Sequence, residues 1–294
     1  MGKNVIKLFA LMAALTALFL VIGNALGGTF GLIIAVIFAA VINLGAYWFS
    51  DSIVLRMAGA REVSREEAPW FYQTVEQQIA RAGLPMPKLY IIEEDVPNAF
   101  ATGRSPEKGV VAITTGISRL LTKEELAGVI AHELAHIKNR DTLISAVTAT
   151  IAGAIAAIAD MWMWSQIFNM FTGGDNEEGG NPIAELLLVI VAPIAATLIQ
   201  LGISRAREFQ ADELGARILG DPLPLASALE KIEWASRRGF MQTNPATASL
   251  YIVNPLSGSG GVMRLFSTHP PTEERIARLR AMARQSNRRG ALVV

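Results

Sequence analysis

Three residues within one short stretch have the types and spacing of a metal-dependent hydrolase site. His132 and His136 are four residues apart, so on a helix both imidazoles project from one face and can bind a single Zn²⁺. Glu133 follows the first histidine and lies close enough to take a proton from a metal-bound water. Because the 294-residue chain has only three histidines, chance would place this pattern in fewer than about one such chain in a hundred. The pattern predicts one catalytic Zn²⁺ per chain.

A catalytic zinc keeps three protein ligands and leaves a fourth position for water, so a third ligand must come from elsewhere in the chain. The chain has no cysteine, and Asn139 and Thr142 stand where an extended histidine motif would have glycine and histidine. The candidates are therefore His269, the only other histidine, or a carboxylate such as Glu208. Asp212, one helical turn after that glutamate, could accept the other ring N–H of a ligating histidine and set its tautomer.

A helix must hold the two histidines one turn apart. Thr122 and Glu125 form a capping box, which predicts a helix from there to about Arg140. Ser64 and Glu67 predict the start of an earlier helix in the same way. Between these helices, short β-rich runs predict three strands, Lys88–Ile92, Ala99–Thr102 and Val110–Thr114. The two histidines therefore belong to a small α/β unit.

The composition places much of the rest of the chain in a membrane. Hydrophobic residues make up 51% of the chain and charged residues 18%, with a mean hydropathy of +0.36. An ordinary soluble domain has about 25% charged residues. The 26 basic and 26 acidic side chains balance, so there is no overall basic field of the kind that nucleic-acid binding requires. The absence of cysteine excludes disulfides, thiol catalysis and thiolate metal sites.

Four apolar segments are long enough to cross a bilayer, and we expect them to form two hairpins. They cover residues 5–26, 30–49, 143–164 and 183–203. The alternative for the second pair is a hydrophobic hairpin buried in the protein. Residues 8–55 and 141–204 contain no Lys or Arg, so both hairpin loops are predicted to lie outside and all basic segments in the cytoplasm.

The predicted fold is therefore a mainly α membrane protein with four transmembrane helices and a small α+β catalytic domain of the zincin type. An N-terminal transmembrane hairpin (1–50) precedes a cytoplasmic catalytic part with the histidine helix (51–141). A second transmembrane hairpin (142–203) leads to a cytoplasmic catalytic part with the glutamate helix (204–294).

The combination of motifs resembles the HtpX heat-shock membrane proteases, which are relatives of the CAAX prenyl proteases. The resemblance is carried by HELAH at 132–136, EFQAD at 208–212 and STHPP at 267–271, in the same order relative to the four apolar segments. HELAH alone is shared by many zinc proteases, whereas the combination is much more specific. The resemblance implies that His132, His136 and Glu208 bind Zn²⁺ and that Glu133 is the general base.

Two further sites follow from the same comparison and from elementary chemistry. Asn98, Ala99, Phe100 and Ala101 resemble the edge strand with which this family pairs an extended substrate backbone. His269 precedes two prolines at the start of a predicted helix, and it could donate a hydrogen bond to the oxyanion that develops during cleavage.

We therefore expect a multi-pass zinc metalloendopeptidase of the bacterial inner membrane that acts in protein quality control. Its N-terminus, catalytic site and C-terminus would be cytoplasmic, and its partners would be misfolded or damaged membrane proteins and the lipid bilayer. The alternative is a non-catalytic membrane scaffold with a structural zinc, in which His269 would complete a closed site of four protein ligands. A transporter fits less well, because the apolar segments have almost no charge near their middle.

Overall fold

The computed structural model describes residues 3–151, 205–238, 247–253 and 270–291, which form mainly helices and one small sheet. In chain order the helices are α1 (Lys3–Met57), α2 (Pro69–Ala82), α3 (Thr115–Leu120), α4 (Lys123–Asn139), α5 (Asp141–Ile151), α6 (Arg205–Leu219), α7 (Leu223–Ser236) and α8 (Thr272–Ala291). The strands are β1 (Ala60–Glu62), β2 (Lys88–Ile92), β3 (Ala99–Thr102) and β4 (Val110–Thr114).

Helix α1 folds back on itself at a pair of glycines, where the backbone leaves helical geometry. Gly28 has φ +53° and ψ −136°, a conformation that glycine adopts without steric cost. On either side of this turn, the rings of Phe19 and Phe38 pack edge to face with centroids 5.1 Å apart. Further along, Asn43 Nδ2 donates a hydrogen bond to Thr16 Oγ1 at 2.8 Å. The two halves of α1 therefore lie antiparallel, as expected for the first hairpin.

The expected membrane segments are confirmed only in part. Within the described residues, one helix is long and apolar enough to cross a membrane, Gly27–Met57. Only 17% of its most apolar window is buried in the protein, so its apolar side chains face outward rather than into a core. The third expected segment is described only as far as Ile151, and the fourth, 183–203, lies outside the described residues.

The sheet has the strand order β1-β2-β4-β3, so β3 lies at one edge. The central pair β2 and β4 is parallel, with Lys88 opposite Val110, and the two outer pairs are antiparallel. The three strands expected from the sequence are confirmed with the same bounds. Strand β1 was not expected, because three mostly exposed residues show no alternation of polar and apolar side chains.

Helix α4 carries His132 and His136 and is central to the packing of the described residues. Its predicted capping box is present, since Thr122 and Glu125 each accept a hydrogen bond from the other's backbone N–H. Twelve of its 17 residues are buried, and it packs against α2, α6, α7 and β3. A helix surrounded on several sides holds the side chains that it carries in fixed positions.

The first expected helix starts later than the sequence indicated. Ser64 and Glu67 make the reciprocal hydrogen bonds of a capping box, with the Ser64 N–H donating to Oε2 at 2.8 Å. These bonds close a turn, and α2 begins at Pro69, whose missing N–H and fixed φ suit the first position of a helix.

Candidate metal centre

The two halves of the candidate site lie on α4 and α6, which are in direct contact. Gly215 on α6 makes this approach possible, because a Cβ at that position would lie 2.9 Å from the backbone N and Cα of His132. The contact places Glu208, near one end of α6, beside the histidines of α4. Residues that are more than 70 positions apart in sequence thus form one cluster.

The cluster has the geometry of three ligands around one metal ion. The Nε2 atoms of His132 and His136 are 3.2 Å apart. The carboxylate oxygens of Glu208 lie 3.5 Å from Nε2 of His136 and 3.7 Å from Nε2 of His132. Tetrahedral zinc with bonds of about 2.0–2.1 Å requires ligand atoms about 3.3 Å apart. The donor set and the three distances therefore fit a zinc ion, whereas His269 lies outside the described residues.

Each histidine is oriented by a carboxylate on its other ring nitrogen. Nδ1 of His132 lies 3.0 Å from Asp212 Oδ1, and Nδ1 of His136 lies 3.2 Å from Asp141 Oδ2. An N–H donated at Nδ1 leaves the lone pair at Nε2 directed toward the metal position. The structure thus places Asp212 beside Nδ1 of His132 and Asp141 in the equivalent position beside Nδ1 of His136.

A buried arginine that the sequence analysis missed completes this arrangement. Arg275 on α8 is 1% exposed and donates two hydrogen bonds to Asp212, at 2.9 and 2.7 Å. A third hydrogen bond goes to the carbonyl of Ile252 at 2.8 Å. Arg275 therefore fixes the position of Asp212, which in turn orients the ring of His132. Its sequence surroundings, Glu-Glu-Arg at a helix start, resemble an ordinary exposed helix, so only its position shortly after the STHPP segment could have drawn attention to it.

The cluster lies at a pocket to which the edge strand β3 contributes one lining residue. Its lining residues are Ala101, His132, Glu133, His136, Asp141, Thr142, Ser145, Arg207, Glu208, Leu250 and Ile252. Of the four residues expected to pair with substrate, Ala101 lines the pocket.

The other three residues of that expected strand contact the segment 251–253. The Ile252 N–H donates to the carbonyl of Ala99 at 2.9 Å, and the side chain of Asn98 donates to the carbonyl of Val253 at 2.7 Å. The Phe100 ring packs edge to face on Tyr251. The first half of β3 is thus covered by the chain itself, and the part of the edge that faces the pocket is at Ala101.

Comparison with known proteins identifies the family. The model of Peptidase family M48 matches residues 65–283, more than half of the chain. The chain belongs to peptidase family M48. Proteins named "Protease HtpX homolog" from Burkholderia multivorans, Burkholderia ambifaria and Burkholderia cenocepacia are each 56% identical to it over 286 residues. Those alignments cover 96% of this chain and 98% of each relative, so the resemblance to the HtpX proteases is confirmed.

Among solved structures, the crystal structure of S. mikatae Ste24p matches this chain with a TM-score of 0.48 and 20% identity. The match covers 94% of this chain and 65% of that one. Family membership and the full-length relatives establish the M48 protein as a membrane-associated metalloprotease.

The two histidines of this M48 peptidase have opposite electrostatic environments. Burial lowers the pKa of His132 to about 4, although Asp212 opposes the shift. Burial also acts to lower the pKa of His136, but the carboxylates of Glu208 and Asp141 outweigh it and raise the value to about 9. The raised pKa favours a protonated His136 at neutral pH. Because metal ligands must be deprotonated, a bound metal ion would replace this proton.

The pKa of Glu133 lies in the range that suits acid–base catalysis at neutral pH. The residue is 2% exposed, and burial raises the pKa of its carboxyl to about 7, with His136 and the backbone N–H of Ala101 acting in the opposite direction. A carboxylate with a pKa near the working pH can both take and return a proton. The environment of this residue therefore suits a general base.

Proposed function

We propose that this chain is a zinc-dependent endopeptidase of the bacterial inner membrane that cleaves misfolded or damaged membrane proteins from the cytoplasmic side. The observation that carries the proposal is the convergence of His132, His136 and Glu208 within 4.8 Å, beside the buried carboxyl of Glu133. Two imidazoles and one carboxylate are a ligand set of catalytic zinc sites, which leave one coordination position for water or substrate. When bound, zinc would polarise the peptide carbonyl and lower the pKa of the attacking water.

The roles of the protein side chains follow from their positions. Glu133 takes the proton of the attacking water and returns it to the leaving amine, for which a pKa near 7 is well suited. Asp212 and Asp141 keep the two histidines in the orientation that binds the metal. Ala101 at the edge of β3 lines the pocket, so a substrate in extended conformation, as an unfolded polypeptide presents, would lie along this edge.

A location at the membrane surface is supported by the way the site joins the apolar helices. Asp141 touches a metal-site histidine and is also the first residue of α5, so the site and this helix are continuous. Val147 and Ile151 of α5 pack with Leu8 and Leu15 of the α1 hairpin. These contacts support the proposal that the parts 51–141 and 204–294 form one catalytic unit beside the bilayer, on the side that the basic residues assign to the cytoplasm.

Replacing Glu133 by Gln tests the catalytic role. The amide keeps the shape but cannot accept a proton, so we expect cleavage of an unfolded test protein to fall by about 10²-fold or more. One zinc per chain should remain bound, because this residue is not a ligand. Glu124→Gln, an exposed change in the first turn of the same helix, is the matched control and should leave both quantities unchanged. Parental turnover in Glu133→Gln would refute the role of base, and loss of zinc would refute the assignment of ligands.

Metal analysis separates the enzyme from the scaffold. Glu208→Gln and His136→Ala should each remove the metal, because a site with three protein ligands cannot spare one. His269→Ala should keep the metal and slow cleavage, if that residue donates to the oxyanion. Loss of metal in His269→Ala as complete as in His136→Ala would instead favour a closed structural site.

Cysteine labelling tests the orientation, since the chain has no native cysteine. Single cysteines would be placed at Gly174 and Ser259, and intact cells would be treated with a maleimide that does not cross the inner membrane. We expect Gly174→Cys to be labelled directly and Ser259→Cys only after the membrane is opened. The reverse result would invert the topology, and protection of both would mean that the second hairpin does not cross.

A further inference from the structure

Arg207 is a buried cation at the pocket for which the proposed mechanism has no role so far. It precedes Glu208 on α6, lines the pocket and is 7% exposed. Its Nη1 atom is fully buried and has no hydrogen-bond partner among the residues that the structure describes. Burial lowers the pKa of the guanidinium, against the opposing influence of Asp141 and Glu208.

Arg275, the other buried arginine near the site, differs from Arg207 because its guanidinium is fully engaged in hydrogen bonds. Arg275 uses its guanidinium to hold Asp212 at two points and the carbonyl of Ile252 at a third. A buried donor of a charged group that is left unsatisfied costs its full desolvation penalty. Such a donor in an active-site pocket is explained if an acceptor arrives with the ligand. The ligand of this pocket is a peptide, whose acceptors are carbonyl oxygens.

Arg207 and Glu133 both line the pocket, the first from α6 and the second from α4. Glu133 interacts with the backbone N–H of Ala101, on the side of β3. Arg207 interacts electrostatically with Asp141, the first residue of α5, and with its neighbour Glu208. A peptide bound in this pocket would therefore meet the base of α4 and the guanidinium of α6.

We propose that Arg207 is a catalytic residue whose Nη1–H donates a hydrogen bond to the carbonyl oxygen of the scissile peptide. The proposal rests on the peptidase function and deepens it. When the water oxygen bonds to the carbonyl carbon, the π pair of the C=O bond moves onto the carbonyl oxygen and Glu133 takes the water proton. When the C–N bond breaks, the pair re-forms the C=O bond and the amine leaves with that proton. The oxygen carries most negative charge between these events, so the hydrogen bond is strongest there and raises kcat.

The test compares Arg207→Met with Arg205→Met in the purified full-length chain, using an internally quenched peptide. Arg205 is exposed two residues earlier on the same helix and is the matched control. We expect Arg207→Met to lower kcat by about 10²–10³-fold, as removal of one oxyanion donor does elsewhere, with KM nearly unchanged. The metal content should stay at the parental value, and Arg205→Met should change kcat by no more than about twofold.

Chemical rescue provides a readout that a merely structural role would not affect. Arg207→Ala leaves room for free guanidinium, so millimolar guanidinium should restore part of kcat in a saturable manner, and Arg207→Lys should have intermediate activity. Glu133→Gln should not respond to guanidinium, which excludes a general effect of the salt. Parental kcat in Arg207→Met, loss of metal from that variant, or an effect on KM alone would each overturn the proposal.

The same experiments distinguish failure of this role from failure of the peptidase function. If Glu133→Gln is inactive while Arg207→Met cleaves at the parental rate, the peptidase function stands and the role of Arg207 falls. If Glu133→Gln cleaves like the parental chain, or the metal-loaded parental chain cleaves nothing, the peptidase mechanism falls and the role of Arg207 falls with it.

Discussion

Asp212→Asn should weaken the metal site without altering any of its ligands. Asp212 is 3% exposed, accepts two hydrogen bonds from Arg275 and lies 3.0 Å from Nδ1 of His132. An asparagine has the same shape but no charge. Its NH₂ group would replace one carboxylate oxygen and would then face an N–H donor of Arg275 or of His132. Arg275 would then be drawn toward its remaining carboxylate, Glu208, whose Oε2 is already 3.7 Å from Nη1. The variant thus loosens one histidine ligand and competes for the glutamate ligand.

The size of the effect follows from the charges around this carboxyl. Burial acts to raise the pKa of Asp212, but Arg275 and His132 outweigh it and lower the value from 3.8 to about 2. A shift of this size corresponds to roughly 2 kcal/mol of stability that is present above the ordinary pKa and is lost as the pH falls through about 2. Breaking a buried ion pair from one side costs about 3–5 kcal/mol, so we expect a loss of about 2–5 kcal/mol at neutral pH. Loss of a carboxylate that orients a ligand lowers metal affinity by about 10–100-fold.

Two measurements on the purified chain check these values. Competition with a zinc-binding indicator gives the metal affinity, and thermal unfolding with and without metal gives the stability. Glu213→Gln is the matched control, because it removes the next carboxylate along α6, which is exposed and paired with Arg217 on the surface. We expect that control to change stability by less than about 1 kcal/mol.

A metal affinity in Asp212→Asn within about twofold of the parental value would refute this role of Asp212, since the carboxylate beside His132 would then contribute nothing measurable to metal binding. A second variant tests the electrostatic part. Adding Arg275→Met to Asp212→Asn removes the unpaired buried charge, so the double variant should be more stable than the sum of the two single losses predicts. Additive losses would mean that the two residues are not coupled.

Three further predictions concern the elements that support the site. Burial acts to raise the pKa of Glu125, but hydrogen bonds, chiefly from Lys231, outweigh it and lower the pKa. Glu125→Gln should therefore destabilise the chain at neutral pH. In pH-dependent unfolding, the stability difference between the variant and the parental chain should disappear as the pH falls below the ordinary carboxyl pKa. Gly215→Ala should reduce metal affinity in the indicator assay, because the added methyl group forces α6 away from α4; unchanged affinity would contradict this. Gly31→Ala should lower the unfolding temperature in detergent, since a Cβ there overlaps the facing half of the α1 hairpin, whereas Gly45→Ala meets nothing within 4 Å and should not.

Local features of this protein were determined by the sequence itself. The capping box starts the histidine helix at the expected residue, the three expected strands have the expected bounds, and α1 turns at the two glycines. In each case the deciding interactions join residues close together in the chain, so residue type and spacing are sufficient. The relative positions of His132, Glu133 and His136 are also determined locally, because one helical turn sets their geometry.

Only the tertiary structure shows which distant residues lie together at the candidate site. From residue types and spacing alone the third ligand was open between Glu208 and His269. The contact of α4 with α6 brings the glutamate to the histidines, while His269 lies outside the described residues. Arg275 is 143 residues from His132 and follows two acidic residues, a pattern typical of an exposed helix, yet packing of α8 buries it at the centre of the cluster. The covering of β3 by the segment 251–253 has no local signal either. Sequence separation carries no information about distance once the chain folds back, so burial and charge pairing at this site are properties of the packed helices rather than of any one segment.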